Sequence, residues 1–251
     1  MNMKNKASYF LSDFHLGVPN HKDSLSREKR IISFLDQIKS EAKAIYFLGD
    51  VFDFWFEWEH VVPKGYVRFL AKVAELVESG IEIHFFKGNH DMWQFGYLEN
   101  ELGIKLHSDQ LELKIDGEYF YLHHGDGLEK QDRFYRFIKK IFRSSFFQWL
   151  FARLHPNTSM SIAMYFSKTS RKKNQKKQTP SNTNDEWLYQ FAKKHYEMNT
   201  KIDYYIFGHR HIPMQLELSN DCQYVNIGDW LQHFTYAKYT NKKIELLEHS
   251  S

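Results

Sequence analysis

Short apolar runs and longer segments with helical spacing alternate over the first 126 residues of the chain. The short runs, at residues 8–12, 44–48 and 81–86, predict buried strands. Between them, apolar residues recur three and four positions apart over residues 26–42 and 65–79, which is the spacing of an amphipathic helix. The pattern therefore predicts strands and helices in alternation.

Strand signals return in the second half of the chain. Residues 111–122 predict a hairpin, because the Asp116-Gly117 turn lies between two apolar runs. Further strands are predicted at residues 203–207, 222–227 and 234–247.

Residues 128–200 do not fit this alternation of strands and helices. They predict a helix with an aromatic stripe at residues 134–142, an apolar segment at 146–151, a second helix at 158–170, a polar basic loop at 171–184 and a last helix at 185–198. We interpret residues 128–200 as a helical cap, rich in basic and aromatic residues, that is inserted into a core of residues 1–127 and 201–251.

Side chains that bind metal ions recur in five short blocks, each placed where a predicted strand ends. The blocks are Asp13-Phe14-His15, Gly49-Asp50-Val51-Phe52-Asp53, Gly88-Asn89-His90-Asp91, His123-His124-Gly125-Asp126 and Gly208-His209-Arg210-His211. Ligands in open α/β sheets gather outside the carboxyl ends of the strands. The five blocks are therefore predicted to converge on one site.

Two divalent cations about 3.5–4 Å apart can clamp the attacking and leaving oxygens of a phosphoryl displacement. Such a pair needs a bridging carboxylate, for which Asp50 is the candidate. Asp13 and His15 are two positions apart and, in an extended segment, would point to the same side and chelate one ion. His209 and His211 share this spacing and could each contact a different ion.

Asn89 offers a neutral carbonyl oxygen, and His124 completes the set around the second ion. Oxygen and imidazole ligands without cysteine suit Mn²⁺, Fe²⁺ or Zn²⁺ in high coordination and do not suit a closed structural zinc site. We expect two divalent cations, and the residue types alone leave Mn²⁺, Fe²⁺ and Zn²⁺ as candidates.

The formal net charge of +3 conceals a strong asymmetry. Residues 130–178 carry thirteen Lys and Arg residues against one acid, Asp132, which leaves 21 basic against 30 acidic residues elsewhere. The same segment holds the densest aromatic residues. This combination favours an acidic partner, whether nucleic acid, an anionic membrane or a phosphorylated lipid.

Cysteine usage and hydropathy bear on the compartment. Cys222 is the only cysteine, which excludes a disulfide framework, so we expect a reducing compartment. No apolar run approaches the roughly 18 residues of a spanning helix. We expect a cytoplasmic protein that is soluble or peripheral to a membrane.

The five blocks, in this order, resemble the signature of the calcineurin-like metallophosphoesterases. The resemblance implies an α+β fold, a β-sandwich flanked by helices, with a two-metal site at the strand ends. It also implies two ligand sets that share one carboxylate: Asp13, His15, Asp50 and His211 for one ion, and Asp50, Asn89, His124 and His209 for the other.

The segment Gly49 to Trp55, the His124-Gly125-Asp126 block and the basic helical cap resemble the UDP-2,3-diacylglucosamine diphosphatases of lipid A synthesis. That resemblance implies cleavage of the substrate's pyrophosphate to UMP and 2,3-diacylglucosamine 1-phosphate. The chain departs from the best-known branch at His90, where that branch has Arg. The substrate contacts implied by the resemblance are Asn89, His90, Asp132, Tyr135, Ser167, Ser170, Arg171 and Lys173.

Within the site, we expect His90, Asn89 and Asp50 to take part in catalysis. His90 either protonates the leaving group or steadies the phosphate, since its imidazole titrates in a suitable range for both. Asp53 and Asp91 are interpreted as residues that orient a ligand or His90, or as simple turn residues.

Two other functions stay open. A phosphodiesterase of nucleotides or nucleic acid would use the basic cap to hold the phosphate backbone, with a steep salt dependence; the apolar residues at 146–151 argue against nucleic acid as the partner. A non-catalytic scaffold on the same fold is expected to have lost ligands, whereas all seven are present. The preferred partners are therefore a lipid-linked nucleotide sugar and an anionic inner-membrane surface.

Overall fold

The computed structural model describes residues 6–129, 133–174 and 186–250, without the side chains of residues 133, 134 and 170–174. In chain order the strands are β1 (Ala7–Leu11), β2 (Ala42–Phe47), β3 (Glu82–Phe86), β4 (Lys105–His107), β5 (Leu111–Ile115), β6 (Glu118–His123), β7 (Tyr204–Phe207), β8 (Pro213–Ser219), β9 (Cys222–Ile227), β10 (Thr235–Thr240) and β11 (Lys243–Glu248). The helices are α1 (His21–Ile38), α2 (Val67–Glu78), α3 (Tyr97–Leu102), α4 (Arg133–Arg143), α5 (Ser145–Ala152), α6 (Pro156–Asn174) and α7 (Trp187–Met198).

The strands form two sheets. One has six strands in the order β11-β10-β1-β2-β3-β4, and the other has five in the order β5-β6-β7-β9-β8. The neighbours β1 to β4 run parallel, and so do β6, β7 and β9. The carboxyl ends of parallel strands meet at one edge of each sheet, which is where the five blocks follow β1, β2, β3, β6 and β7.

The alternation of side chains along the strands gives each sheet two buried faces. In β1, Tyr9 and Leu11 pack in one core with α1 and α2, whereas Phe10 packs between the two sheets. The outer face of the second sheet packs against Leu188 and Ala192 of α7. The layers are thus helix, sheet, sheet and helix, which confirms the predicted α+β sandwich flanked by helices.

Helix α1 begins at His21, five residues before the predicted start at residue 26. Asn20 causes the earlier start, because its side chain accepts a hydrogen bond from the backbone N–H of Asp23 at 3.0 Å and so caps the helix. The helix also ends at Ile38 instead of residue 42, where β2 already begins. The short elements α3, β4 and β8 had no prediction, because α3 and β4 are too brief for a periodic signal.

Of the cap helices α4, α5 and α6, the first two contact the core through aromatic side chains. The ring of Phe151 lies 6.1, 5.0 and 4.8 Å from the rings of Phe54, Phe56 and Trp93. Trp93 Nε1 also donates a hydrogen bond of 2.7 Å to the carbonyl oxygen of Phe142. The cap helices are therefore held by the loops that follow β2 and β3.

Two features of the predicted insertion differ in the structure. Helix α6 starts at Pro156, where a missing N–H leaves no helical bond unmade, and it continues to Asn174, so residues 171–174 are helical and not part of a loop. Residues 175–184 of that loop lie outside the described ranges. Helix α7 packs on the second sheet, and the division of the chain at residues 128 and 200 stays a prediction.

Candidate metal centre

Five of the seven candidate ligands have a backbone in the left-handed region. The φ angle is 56° at Asp13, 44° at His15, 53° at Asp50, 66° at His209 and 56° at His211. Non-glycine residues adopt such angles at a cost, and they concentrate at functional sites. The predicted extended geometry of the two pairs is therefore wrong, because tight backbone turns, and not strand alternation, bring these side chains together.

Asp13, His15 and His211 form the first group, and their ligand-type atoms lie within 4.8 Å of one another. The Nε2 atoms of His15 and His211 are 3.3 Å apart. Asp13 Oδ1 lies 3.7 Å from His15 Nε2 and 3.3 Å from His211 Nε2. This buried oxygen makes no hydrogen bond to any residue in the described ranges, although it faces the two imidazoles, so the three side chains point at a shared position.

Asp50, His124 and His209 form the second group, again within 4.8 Å. His124 Nε2 lies 3.4 Å from Asp50 Oδ2 and 3.2 Å from Asn89 Oδ1. The same Asp50 Oδ2 is 3.7 Å from His15 Nε2 in the first group. One oxygen of Asp50 thus faces both groups, which is the arrangement required of a carboxylate shared by two ions.

Three of the candidate histidines are oriented through Nδ1. His15 Nδ1 lies 3.2 Å from Asp53 Oδ1, and His211 Nδ1 lies 3.0 Å from Asp229 Oδ2. His124 Nδ1 donates to the carbonyl oxygen of Leu48 at 2.7 Å. An acceptor at Nδ1 fixes the tautomer that leaves the Nε2 lone pair for a metal ion.

Asp91 organises two ligand loops through the backbone. Its buried carboxylate accepts N–H groups of Val51 at 2.8 Å, Phe52 at 3.2 Å and Gly88 at 2.8 Å, and that of Asp50 at 3.3 Å. A Cβ atom at Gly88 would clash with the backbone N and Oδ1 of Asp50. The loops after β2 and β3 therefore meet only because residue 88 has no side chain.

The pKa values of the histidines in the two groups follow from their burial and from the charged side chains beside them. Burial alone would lower the pKa of His15, but contact with Asp13 outweighs it and raises the pKa to about 10. The pKa of His124 also rises to about 10, because the charge of Asp50 outweighs burial. Burial, together with the positive charge of His124, lowers the pKa of His209 to about 3.

His90 lies beside the ligand groups and contacts the cap. Its Nδ1 is 3.0 Å from the carbonyl oxygen of Asp53 and 3.3 Å from Ser167 Oγ, and its ring meets that of His15 edge to face at 4.7 Å. Burial lowers the pKa of His90, so the imidazole is neutral near pH 7. Because the carbonyl oxygen can only accept, Nδ1 carries the proton and Nε2 the lone pair.

Of the cap residues that the resemblance implied as substrate contacts, the structure shows the side-chain partners of two. Tyr135 donates to Asp126 Oδ2 at 2.9 Å, and Ser167 donates to Asp53 Oδ2 at 2.7 Å. Asp132 lies outside the described residues. Ser170, Arg171 and Lys173 belong to α6 by backbone, but their side chains are not described.

Sequence reasoning gave neither Asp229 nor Lys139 a defined role in the site. Asp229 Oδ1 accepts hydrogen bonds from the backbone N–H groups of Leu231, Gln232 and His233. Its other oxygen, Oδ2, lies 3.0 Å from His211 Nδ1. Lys139 of α4 lies 2.6 Å from Asp126 Oδ2. An acid directly after β9, at the edge where the other blocks lie, was the available signal for Asp229; nothing local marks Lys139.

The donor set fits divalent metal ions. Two ligand atoms bound to one ion at about 2.0–2.2 Å are about 3.0–3.5 Å apart in tetrahedral or octahedral geometry. The separations of 3.3 Å between His15 and His211, and of 3.2 Å between Asn89 and His124, match that range. Asp13 Oδ1 is buried and makes no hydrogen bond to any described residue. A bound metal ion would give this oxygen its partner.

Comparison with known families agrees with this geometry. The sequence profile of the calcineurin-like phosphoesterases matches residues 8–213. The chain belongs to this family. It is therefore a phosphoester hydrolase, and its fold implies divalent metal ions at the candidate ligand groups.

Curated relatives extend over nearly the whole chain. A UDP-2,3-diacylglucosamine hydrolase of Porphyromonas gingivalis W83 is 40% identical over 95% of both chains. A protein of the same name from Shewanella baltica OS185 is 28% identical over 94% of this chain and 95% of its own. Among solved structures, an archaeal phosphodiesterase covers 96% of this chain and 98% of its own at 14% identity and a TM-score of 0.48, which is too distant to inform the site.

Among the residues that the structure describes, no helix combines the length and the apolar composition needed to cross a bilayer.

Proposed function

We propose that the protein cleaves the pyrophosphate bond of UDP-2,3-diacylglucosamine to give UMP and 2,3-diacylglucosamine 1-phosphate in lipid A biosynthesis. The observation that carries the proposal is 40% identity, over 95% of both chains, with the Porphyromonas gingivalis protein named UDP-2,3-diacylglucosamine hydrolase. The close approach of candidate ligands from five strand ends supports it, because a two-metal hydrolysis needs such a site.

The proposed ligands of two Mn²⁺ ions are Asp13, His15 and His211 for one, Asn89, His124 and His209 for the other, and Asp50 for both. Distances of 3.7 and 3.4 Å from Asp50 Oδ2 to His15 Nε2 and His124 Nε2 support the shared role of Asp50. Oxygen and imidazole donors favour Mn²⁺ over a structural zinc site. When bound, two such ions supply positive charge against the phosphoryl oxygens and an acidified water.

His90 is proposed to act on the substrate through Nε2, since Nδ1 is engaged by the carbonyl oxygen of Asp53. A pyrophosphate beside a neutral imidazole favours its protonation, because opposite charge stabilises the charged form. The imidazolium then donates its Nε2 proton to a phosphate oxygen or to the leaving oxygen. Asn89 and Asp50 are proposed as the other catalytic residues. Asn89 would contact the reacting phosphate, and Asp50 would hold the ligand position that both ions share.

The cap helices are proposed to bind the acyl chains. Helix α5 exposes Phe146 by 63%, Phe147 by 44%, Trp149 by 53% and Leu150 by 48%. Apolar clusters of this kind on a surface indicate a binding role. Within the described residues, α4 to α6 therefore supply apolar surface suited to two fatty-acyl chains. Asp132, Tyr135, Ser167, Ser170, Arg171 and Lys173 stay the proposed polar contacts of the substrate.

Basic side chains next to this apolar surface support a second proposal, contact with the anionic cytoplasmic face of the inner membrane. Arg136, Lys140, Arg143 and Arg153 are all exposed on α4 and at the end of α5. Basic residues near an anionic surface each contribute about 1 kcal/mol to binding. Sedimentation with vesicles of phosphatidylglycerol, compared with phosphatidylcholine and repeated at high salt, tests this contact.

Release of UMP from UDP-2,3-diacylglucosamine tests the enzymatic proposal. We expect turnover that depends on Mn²⁺ and a KM that rises steeply as the acyl chains are shortened, since each buried CH₂ contributes about 0.8 kcal/mol. Phe147→Asp is expected to impair this substrate far more than bis(4-nitrophenyl) phosphate, which has no acyl chain. Met198→Asp, which alters an exposed apolar residue of α7, is the matched control. Equal losses on both substrates, or a KM independent of acyl length, would leave a general phosphodiesterase.

A further inference from the structure

Ser167 of cap helix α6 contacts the core at a carboxylate that also faces a candidate ligand. Its Oγ donates to Asp53 Oδ2 at 2.7 Å across 114 sequence positions. Both residues are buried, with exposures of 8% and 3%. The other oxygen of the carboxylate, Oδ1, lies 3.2 Å from His15 Nδ1 and 3.6 Å from His90 Nδ1. One carboxylate thus connects the cap, a proposed metal ligand and the proposed catalytic imidazole.

We infer that Ser167 and Asp53 are positioning residues that make the orientation of His15 and His90 depend on the docking of helix α6. The inference rests on the proposed function of the metal centre and deepens it, because it assigns the cap a part in assembling that centre. The cap helices would then control the reaction as well as bind the substrate.

The physical basis is the fixed geometry of a carboxylate. A hydrogen bond to Oδ2 restricts rotation about the Cβ–Cγ bond of Asp53, and therefore also sets the direction of Oδ1. Oδ1 in turn is the acceptor for Nδ1 of His15, and such acceptors raise the basicity of a metal-binding imidazole and hold its ring in place. Loss of the Ser167 hydroxyl is expected to disturb His15 from a distance.

Ser167 also contacts His90 directly. Its Nδ1 lies 3.0 Å from the Asp53 carbonyl oxygen and 3.3 Å from Ser167 Oγ. The hydroxyl can accept from His90 and donate to Asp53 at the same time, because an O–H group is both donor and acceptor. The ring of His90 is therefore held between a core loop and α6.

Helix α4 meets the core in a comparable way. Tyr135 and Lys139 both bond to Asp126 Oδ2, at 2.9 and 2.6 Å, and Asp126 is two positions after the proposed ligand His124. Polar contacts from two cap helices thus end on two of the five blocks. This repetition supports a coupling between cap and site, and it involves residues different from Ser167 and Asp53.

The first test uses the metal-free protein and histidine ring signals in long-range ¹H–¹⁵N spectra, assigned with His15→Asn and His90→Asn variants. Ser167→Ala is expected to shift the ring nitrogens of His15 and His90, and Ser167→Thr, which restores the hydroxyl, is expected to return them towards wild type. Ser161→Ala is the matched control, since Ser161 lies on the same helix and bonds to the Asn157 carbonyl oxygen. Equal shifts in Ser161→Ala and Ser167→Ala, or unchanged rings in Ser167→Ala, would overturn the inference.

The second test measures Mn²⁺ affinity by titration. Loss of an acceptor beside a metal ligand typically costs about 10–100-fold in affinity, so Asp53→Asn is expected to fall in that range and Ser167→Ala to fall several-fold. Because both changes act through one carboxylate, Ser167→Ala is expected to have little further effect in the Asp53→Asn background. Additive effects would show that the two residues act independently and contradict the inference.

These readouts separate the inference from the proposed function. If wild-type protein fails to release UMP from the nucleotide sugar, the substrate proposal is wrong, while ring signals and metal affinity still report the coupling. If wild type is active and Ser167→Ala leaves kcat, ring signals and affinity unchanged, the coupling is wrong. Far-UV circular dichroism of each variant identifies any loss of fold, and Asp53→Asn, which alters the same hydrogen bond from the core side, supplies the measurement if Ser167→Ala does not fold.

Discussion

His15 and His211, 196 positions apart in the chain, direct their Nε2 atoms at each other across 3.3 Å. Two protonated imidazoles would repel at that distance, and two unprotonated lone pairs would also repel. The close approach is therefore stable only with a proton or a cation between the rings. Protons and metal ions must compete for this position.

Metal affinity should consequently rise with pH. The pKa of His15 and of His124 is about 10 in the metal-free protein, so both imidazoles are protonated at pH 7 and must lose their protons when an ion binds. We expect release of roughly two protons per protein on saturation with Mn²⁺ and weaker binding at pH 6 than at pH 8. Calorimetric titration in two buffers of different ionisation enthalpy measures both quantities. Binding that releases no protons would contradict the prediction.

Asp50→Ala should reduce the content of both metal ions, because Asp50 Oδ2 faces both ligand groups. We expect turnover to fall by more than the roughly 10–100-fold that loss of an outer hydrogen-bond partner costs. Elemental analysis after gel filtration measures the metal content, and Asp221→Ala on the exposed β8–β9 turn is the control. Two ions per protein and normal turnover in Asp50→Ala would show that the shared ligand is a different residue.

His90→Asn should keep the metal content and lower kcat. His90 Nδ1 bonds to the Asp53 carbonyl oxygen, so this nitrogen is engaged by the backbone and Nε2 is the atom proposed to meet the substrate. Loss of a general acid typically lowers the rate by about 10²–10⁴-fold. Steady-state kinetics together with elemental analysis separate the alternatives: lost metal would make His90 a ligand, and an unchanged rate would leave it a packing residue.

A partly buried histidine pair outside the candidate ligand groups predicts acid sensitivity. His84 Nδ1 and His107 Nε2 are 2.9 Å apart between β3 and β4, and burial lowers the pKa of both to about 4. In an unfolded chain the imidazoles titrate near 6.5, so between about pH 6.5 and 4 the unfolded state binds more protons and the free energy of unfolding falls as the pH falls.

Urea unfolding at pH 7 and pH 5 measures this loss. Glu82 lies 3.7 Å from His84 Nε2 and pairs with Lys105, so it offsets part of the effect. His107→Gln keeps a hydrogen-bond donor for His84 and removes one titrating group, so the loss between the two pH values should become smaller. The exposed His60→Gln is the control, and an equal reduction in that variant would assign the effect to histidines in general.

Asp13 and His15 show what the sequence could predict about the site. Their residue types and their place after a strand were sufficient to predict that they converge with the other blocks, and the family resemblance implied His211 as their partner; the structure brings the three side chains within 4.8 Å. Their left-handed backbone was not predictable, because it depends on contacts with loops distant in the chain. The bond from Asp13 Oδ2 to the backbone N–H of His209, at 2.8 Å, is one such contact.

Other errors have the same origin. The start of α1 depended on Asn20, a local signal that helical periodicity alone does not show. Asp229, Lys139 and the contact between Ser167 and Asp53 depend on partners 18, 13 and 114 positions away. Periodicity and residue type predict which strand ends carry chemistry, whereas side-chain partners at long range follow from packing.

Each proposed metal ion would be held from both sheets, since Asp13, His15, Asp50 and Asn89 follow strands of the first sheet and His124, His209 and His211 follow strands of the second. The ions would therefore act as cross-links between residues up to 198 positions apart, a role that disulfides play in secreted proteins. A chelator should act on this fold as a reductant acts on a disulfide. It would loosen the two sheets at one edge, where direct contacts such as that between Asp13 Oδ2 and the His209 N–H remain, and the hydrogen bonds within each sheet would be kept.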